Sequence, residues 1–222
     1  MTRKQVSEKT LELNISSEIL TMARKHYPKA YFIGPTNRQE WYRGYDDRLG
    51  GVKKGTYLIF QYKAPWANFP PNIFSINVRQ HNILERKSRA HPDGVWYIFP
   101  PYQTFRKLWT RSPNLISETY FVRPSAIGLL PSTRNYFRLL ISSPAKLFPG
   151  NGKNIEVIRI DDFKRIVFEP NERNGTTDIR CQKLLNINDI KIMDEEMQEF
   201  GLIWRGMQIF CLSEEQNSND IE

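Results

Sequence analysis

The amino-acid sequence predicts a single α/β or α+β domain with irregular decorations. Two observations favour this class. Apolar runs of strand length, rich in β-branched and aromatic residues, alternate with longer stretches in which apolar residues recur at helical spacing. The chain of 222 residues is long enough to bury a substantial core, and it contains no internal repeat. Its 14 prolines indicate that much of the decoration is loop.

The first predicted element is a helix over residues 7–27. Ser7 can cap this helix, Glu8 suits the positive end of its dipole, and Pro28 ends it. Its apolar stripe consists of Leu11, Ile15, Ile19, Met22 and Ala23. Glu8 and Glu12 fall inside this stripe. Either the first turns extend past the core into solvent, or one carboxylate points into a site at the edge of the domain.

Three strands are predicted next, over residues 30–35, 44–49 and 56–65, and a glycine-bearing connection joins the last two as a hairpin. The third strand is otherwise apolar but carries Gln61 and Lys63, whose side chains share one face because they are two residues apart. Buried strands seldom place an amide beside an ammonium unless a polar group receives them. We therefore expect a metal ion and a phosphate at this position.

The rest of the chain continues the mixture of strands and helices. Further strands are predicted over residues 74–78, 95–99, 117–122, 136–141, 155–160, 166–168 and 206–212, and a further element over 181–185. Further helices are predicted over residues 79–87, 104–109 and 187–200. Residues 213–222 are acidic and polar, and this tail is predicted to be disordered.

The charge of the chain favours a polyanionic partner. The formal net charge is +8 and the sequence pI is about 9.5. The excess is uneven, because residues 79–111 contain seven basic residues and only two acidic ones. The candidate nucleic-acid-binding residues in this stretch are Arg79, Gln80, Arg86, Lys87, Arg89, Arg106 and Lys107.

Several other classes of protein are not favoured. No apolar run is long enough to span a bilayer, and the N-terminus lacks the apolar stretch of a secretory signal, so we expect a cytoplasmic protein with no membrane partner. The histidines are too scattered for a zinc site. Cys181 and Cys211 give no disulfide framework, and a buried structural role explains each better than a nucleophilic one.

An acid on the first helix, an Asp on one arm of the predicted hairpin and Gln-x-Lys on the other arm suit a divalent cation. Asp46 and Gln61 are fifteen positions apart, a separation that a hairpin closes. Mg²⁺ needs a few carboxylate or carbonyl oxygens with room left for water. The candidate donors are the side chains of Asp46, Gln61 and Glu8 or Glu12, and the backbone carbonyl of Tyr62. Lys63 would orient the attacking water or neutralise charge developing on a phosphate.

This order of residues resembles the PD-(D/E)XK nuclease superfamily, in the form where Gln replaces the usual Glu. The resemblance covers roughly residues 7–90. Gln80 is similar to the helix Gln that some branches of the superfamily place beside the site. Two features depart from the family pattern: Tyr45 stands where the family has Pro, and the neutral Gln61 weakens the metal site relative to Glu. A plain reading of Asp46-Asp47 as turn acids beside glycines also stays open.

The resemblance implies a restriction-endonuclease-like core, a mixed β-sheet flanked by helices. We expect one domain over residues 1–212, with the core at about 7–125 and an elaboration over 126–212. The residues implied to be catalytic are Asp46 or Asp47, Gln61, Lys63 and a helix acid, Glu8 or Glu12.

The activity implied is metal-dependent hydrolysis of DNA phosphodiester bonds with Mg²⁺ or Mn²⁺, in a setting such as defence, restriction or repair. DNA is then the expected partner, together with a second copy of the chain or a partner protein. The alternative is a nuclease-like domain that has lost catalysis and binds nucleic acid or a protein, since Gln61 is neutral.

Overall fold

The computed structural model describes residues 5–33, 48–50, 56–66, 72–142, 144–148, 154–168, 185–186 and 207–211. Within these residues the protein is a mixed α/β structure with five helices, a mixed β-sheet centred on three strands and a four-stranded antiparallel sheet. This confirms the predicted fold class. No helix in the described ranges has both the length and the apolar character needed to cross a membrane.

The helices and strands are numbered in chain order. The helices are α1 (Glu8–Ala23), α2 (Val78–Ala90), α3 (Phe105–Arg111), α4 (Pro124–Ile127) and α5 (Ile160–Val167), with a 3₁₀ turn at Leu115–Glu118. The strands are β1 (Tyr31–Ile33), β2 (Arg48–Gly50), β3 (Thr56–Tyr62), β4 (Ile73–Asn77), β5 (Val95–Phe99), β6 (Tyr120–Val122), β7 (Tyr136–Leu140), β8 (Ala145–Phe148), β9 (Asn154–Ile155), β10 (Leu185–Asn186) and β11 (Met207–Cys211).

Strand β3 lies at the centre of the mixed sheet. It pairs in parallel with β5, from Ile59 opposite Val95 to Tyr62 opposite Ile98, and β5 pairs antiparallel with β6. Helix α2 lies between β3 and β5 in the chain, so the two parallel strands are joined by a helical crossover. The short strands β1, β2, β10 and β11 add antiparallel pairings to this core, with β11 running along β3.

The mixed sheet separates two buried cores. Because side chains alternate along a strand, Leu58, Phe60 and Tyr62 of β3 pack on the side of α1 and α5, whereas Ile59 packs on the side of α2. The antiparallel sheet, ordered β4-β7-β8-β9, closes the second core with one of its own faces. Strand β4 leads directly into α2, whose N-cap Asn77 accepts a hydrogen bond from the backbone N–H of Gln80 at 3.1 Å.

Most of the predicted elements are confirmed within the described ranges. Ser7 caps α1, since its hydroxyl accepts a hydrogen bond from the N–H of Thr10 at 3.1 Å. Helix α1 ends at Ala23, four residues before the predicted end. The strands predicted over 95–99, 136–141 and 206–212 correspond to β5, β7 and β11. The predicted helix over 187–200 and the acidic tail lie outside the described residues.

One strand prediction is wrong, two are confirmed only in part, and three helices or strands were missed. Residues 166–168 end helix α5 and do not form a strand, because Ile160, Phe163 and Val167 are spaced for one helical face that a three-residue window cannot reveal. The predicted strand over 155–160 reduces to the end of β9 and an isolated bridge between Phe121 and Ile158. The first half of the predicted strand 117–122 is the 3₁₀ turn, and its second half is β6. The missed elements are α4, α5 and β8.

Candidate functional site

Gln61 lies near the C-terminal end of β3 and is fully buried. Its two neighbours across the sheet are Tyr97 of β5 and Met207 of β11. Its side chain lies on the α2 face, because it alternates with Tyr62, which packs on the α1 face. The amide Nε2 of Gln61 donates a hydrogen bond to the carbonyl of Tyr62 at 3.3 Å. The carbonyl proposed as a metal donor therefore already accepts one hydrogen bond.

Lys63 comes immediately after the last residue of β3. Its backbone N–H donates to the carbonyl of Ile98 at 3.0 Å, which continues the ladder with β5 by one hydrogen bond. The backbone is thus still extended at this position, and alternation places Lys63 on the same face of the sheet as Gln61. Lys63 is half-buried, whereas Gln61 is inaccessible. The structure consequently places Lys63 at the point where the strand reaches the surface.

Glu8 meets this strand end from the first turn of α1. Its Oε2 accepts a hydrogen bond from the backbone N–H of Ala64 at 3.2 Å. The residue that provides this N–H directly follows Lys63, although fifty-six positions separate it from Glu8. A helix acid and the Lys of the Gln-x-Lys sequence therefore lie at the same end of the sheet.

Glu12 has a different environment. It is 1% exposed, and its Oε1 accepts a hydrogen bond from Lys9 Nζ at 2.6 Å. One turn further along α1, the hydroxyl of Ser16 lies 3.0 Å from the hydroxyl of Tyr62. Helix α1 thus faces the Tyr62 side of the sheet, opposite to Gln61. Of the two candidate helix acids, Glu8 is the one with a described hydrogen bond to the segment that follows β3.

The candidate Asp residues, Asp46 and Asp47, lie outside the described residues. The adjoining strand β2 pairs antiparallel with β3, with Leu49 opposite Leu58, which confirms the pairing of the predicted hairpin. This pairing does not reach Gln61, where β5 and β11 are the two neighbouring strands.

A buried polar network occupies the α2 face beside Gln61. His81 stacks on Tyr97 with ring centroids 5.8 Å apart, and the Tyr97 hydroxyl lies 3.2 Å from Nδ1 of His81. Nε2 of His81 lies 2.9 Å from the carbonyl of Gly128. Since a carbonyl only accepts, Nε2 carries the proton and Nδ1 accepts from the Tyr97 hydroxyl. Both histidine nitrogens are thus occupied in linking α2, β5 and Gly128, which is a structural role.

Burial sets the ionisation of these groups. Burial lowers the pKa of His81 to about 4, although the hydrogen bond to the carbonyl of Gly128 acts in the opposite direction. Burial also raises the pKa of Tyr97. Both side chains are therefore neutral at pH 7. Within the described ranges, no three His, Cys, Asp or Glu side chains are grouped closely enough to hold a metal ion.

The predicted nucleic-acid-binding residues are divided between two helices. The exposed members are Arg79, Arg86 and Arg89 on α2, and Arg106 and Lys107 in the first turn of α3. Gln80 is buried, Lys87 is half-buried, and Arg89 forms an ion pair with the buried Glu85. Five of the seven positions are accordingly available to a polyanion.

A second group of cationic and aromatic side chains was missed by the sequence reasoning. Residues following Lys63 line a groove with residues of β4, β7 and β8. Its cationic and aromatic members are Trp66, Arg134, Tyr136, Arg138 and Phe148. The signal was present in the predicted strand 136–141, where alternation places Tyr136 and Arg138 on the face opposite the apolar Phe137 and Leu139.

Comparisons with known proteins do not identify a relative. No family model matches the chain, and no match is found among curated proteins or among solved structures. Function is therefore argued from the positions and chemistry of the described residues.

Proposed function

We propose that this protein is a metal-dependent nuclease that hydrolyses phosphodiester bonds of DNA. The observation that carries the proposal is the hydrogen bond from the N–H of Ala64 to the carboxylate of Glu8, which joins a helix acid to the residue after Gln61-Tyr62-Lys63. The order of elements adds support. Helix α1 is followed by three strands paired antiparallel, and α2 then connects β3 to the parallel strand β5.

A divalent cation fits the described residues only in part. Glu8 would supply a carboxylate from the α1 side of the strand end, and Gln61 a neutral amide oxygen from the α2 side. Mg²⁺ is normally held by one or two carboxylates together with water and substrate oxygens. The proposal assigns the second carboxylate to Asp46 or Asp47. When bound, the ion would polarise the phosphate and lower the pKa of a bound water.

The protein's own residues have separable roles in this proposal. The N–H of Ala64 fixes the Glu8 carboxylate at the strand end. The hydrogen bond from Lys63 N–H to Ile98 fixes the backbone from which the ammonium projects. A fixed cation near the scissile phosphate stabilises the negative charge that develops as the bond to the leaving oxygen breaks. Lys63 is half-buried, so part of it remains accessible to a substrate.

The second candidate is a nucleic-acid-binding domain without catalysis. One specific observation favours it: Gln61 is fully buried between two neighbouring strands, and its side-chain amide donates to the carbonyl of Tyr62. A side chain held in this way serves the packing of the sheet without any metal. In that case Gln61→Glu would raise the affinity for Mg²⁺ measured by calorimetry, while the parent chain would show no binding.

The test is cleavage of supercoiled plasmid with Mg²⁺ or Mn²⁺, compared with EDTA. We expect nicking by the parent chain and a loss of roughly 100-fold or more in Lys63→Ala, because a transition-state charge loses its stabilising cation. Asp46→Ala should have a loss of similar size. Lys9→Ala is the matched control, since Lys9 is an exposed lysine on α1 that forms an ion pair with Glu12.

The results separate the two candidates. Metal-dependent nicking that is lost in Lys63→Ala and Asp46→Ala but kept in Lys9→Ala supports the nuclease. Nicking that survives both site substitutions contradicts the site assignment. No nicking by the parent chain, with retained and salt-sensitive binding of DNA, supports the binding domain.

A further inference from the structure

A groove of about 820 Å³ opens beside the end of β3. Its walls come from three parts of the chain: Gln5 before α1, the segment Ala64–Trp66 after β3, and the antiparallel sheet. The lining residues from the sheet and the turn before it are Ser75, Arg134, Tyr136, Arg138 and Phe148. Two arginines and no acidic residue line the groove among the described residues, so it complements an anion.

The floor of the groove is the outer face of the antiparallel sheet. Ser75, Arg138 and Phe148 lie directly opposite one another on β4, β7 and β8, so they form one row across the sheet. Tyr136 shares this face because it is two residues from Arg138. The alternate residues of β7 point the other way, into the buried core. The row is thus held by a sheet whose opposite face is packed.

Aromatic rings are exposed on this face. Trp66 is 37% exposed, Tyr136 is 60% exposed and Phe148 is 47% exposed. The guanidinium carbon of Arg138 lies 4.1 Å from the centroid of the Trp66 ring, in cation–π contact. Large aromatic side chains gathered on a surface mark an interaction site, because leaving them in water is unfavourable. Here the rings come with a cation that is already oriented.

The segment after Lys63 is firmly attached to this sheet. The N–H of Trp66 donates to the carbonyl of Ile73 at 2.9 Å, and Gln103 Nε2 donates to the carbonyl of Trp66 at 2.8 Å. Trp66 is three residues from Lys63, so their Cα atoms are at most about 10 Å apart. A chain lying in the groove therefore passes close to the end of β3.

We infer that this groove binds single-stranded nucleic acid, with bases stacked on its aromatic rings and on the Arg138 guanidinium, and phosphates held by Arg134 and Arg138. Exposed rings alternating with arginines are suited to unpaired bases, which offer their faces for stacking. The bases of a duplex are already stacked on one another and offer only their edges. The groove thus selects the single strand over the duplex.

This inference specifies which form of nucleic acid the proposed nuclease would act on, and in that respect it rests on the proposed function. Binding is therefore measured in EDTA, where no metal-dependent cleavage takes place. The probes are fluorescein-labelled oligo-dT and oligo-U of about 12 nucleotides, followed by fluorescence anisotropy. The test variants are Arg138→Glu, Tyr136→Ala and Phe148→Ala. Each carries a substitution at an exposed position of the row or beside it.

The chain offers matched controls on other surfaces. Arg165→Glu makes the same charge change at an exposed position of α5, where the side chain is 68% exposed. Leu13→Ala removes an apolar side chain that is 59% exposed on α1. Thermal unfolding followed by circular dichroism checks that every variant is folded before binding is compared.

We expect Tyr136→Ala and Phe148→Ala to weaken binding by about 5- to 100-fold, the usual effect of losing a stacked base. Arg138→Glu should weaken it by at least about 10-fold, because it loses both a stacking plane and a phosphate contact and introduces a like charge. Both controls should bind within about twofold of the parent chain. Binding of either oligonucleotide with this pattern supports the inference.

Three results would overturn it: no binding of either oligonucleotide by the parent chain, groove variants that bind like the controls, or a duplex that competes as well as the single strand. Displacement by polyglutamate of equal charge would also contradict it, since charge alone would then explain binding. Failure of the nuclease proposal has a different signature, because the parent chain would then bind the labelled single strand in EDTA without cleaving it when Mg²⁺ or Mn²⁺ is supplied.

Discussion

The two faces of β3 bury polar groups in different ways. On the α1 face, the residues of β3 and β5 contribute Leu58, Phe60, Tyr62, Trp96 and Ile98 to an aromatic core around Phe163. On the α2 face, Gln61 and Tyr97 lie side by side, and α2 adds four buried polar residues: Gln80, His81, Glu85 and Ser88. One face is held mainly by ring packing, and the other combines apolar packing with a hydrogen-bonded polar layer.

This difference shows which polar residues of the strand are open to chemistry. Gln61 and His81 are both fully buried, and the nitrogens of His81 are occupied within the fold. Lys63 and Glu8 lie where the strand leaves the core, and both are partly exposed. The buried Gln61 therefore contributes to the packing of the sheet. Lys63 is the first polar residue after it that a substrate can reach.

The largest effect on the free energy of unfolding is expected from truncating Phe163, in the aromatic core on the α1 face. Its ring is fully buried, with centroids 4.3 Å from Phe121, 5.3 Å from Trp96 and 6.0 Å from Phe60. Phe163→Ala should lower the free energy of unfolding by about 3–5 kcal/mol, measured by urea denaturation, because it leaves a cavity among rings. Phe105→Ala, at a position 49% exposed, should change it by less than about 1 kcal/mol. Equal effects would contradict the assigned core.

The contrast between the faces also explains what the sequence could predict. Helix α1 and strands β3, β5 and β7 can be predicted because their sequence signals are local. The Ser7 cap and the alternation of side chains around Gln61 each involve only a few neighbouring residues. The environment of Gln61 does not follow, since its neighbours Tyr97 and Met207 are 36 and 146 positions away along the chain. The choice of Glu8 over Glu12 likewise depends on a contact with Ala64 that no local pattern encodes.

The polar face should show its own pH dependence through His81. Its pKa is about 4 when folded and 6.5 as the ordinary value, so above pH 6.5 the imidazole is neutral in both states. As the pH falls from 6.5 towards 4, the unfolded chain takes up a proton that the folded chain does not. Stability is therefore lost as the pH falls, by roughly 3 kcal/mol in full below pH 4.

The measurement is urea denaturation between about pH 7 and pH 4.5 for the parent chain and for His81→Gln. Other acids titrate equally in both proteins, so the difference between the two pH profiles isolates the imidazole. We expect the variant to lose roughly 2–3 kcal/mol less than the parent over this range. Parallel profiles would show that His81 is not held neutral by burial.

The smallest effect on the free energy of unfolding is expected for a substitution of Glu8, beside the C-terminal end of β3. In Glu8→Gln the amide oxygen can still accept the hydrogen bond from Ala64, so the free energy of unfolding should change by less than about 1 kcal/mol. Metal-dependent nicking should nevertheless fall by at least about 10-fold, because a neutral amide replaces the carboxylate proposed to hold the cation.

Glu12→Gln is the matched control, since Glu12 lies about one turn further along the same helix, is buried and pairs with Lys9. Its nicking activity should stay within about threefold of the parent chain. If Glu8→Gln nicks plasmid as well as Glu12→Gln does, Glu8 only anchors α1 to the strand end. The Glu8–Ala64 contact would then be explained by packing, and the proposed site would need another acid.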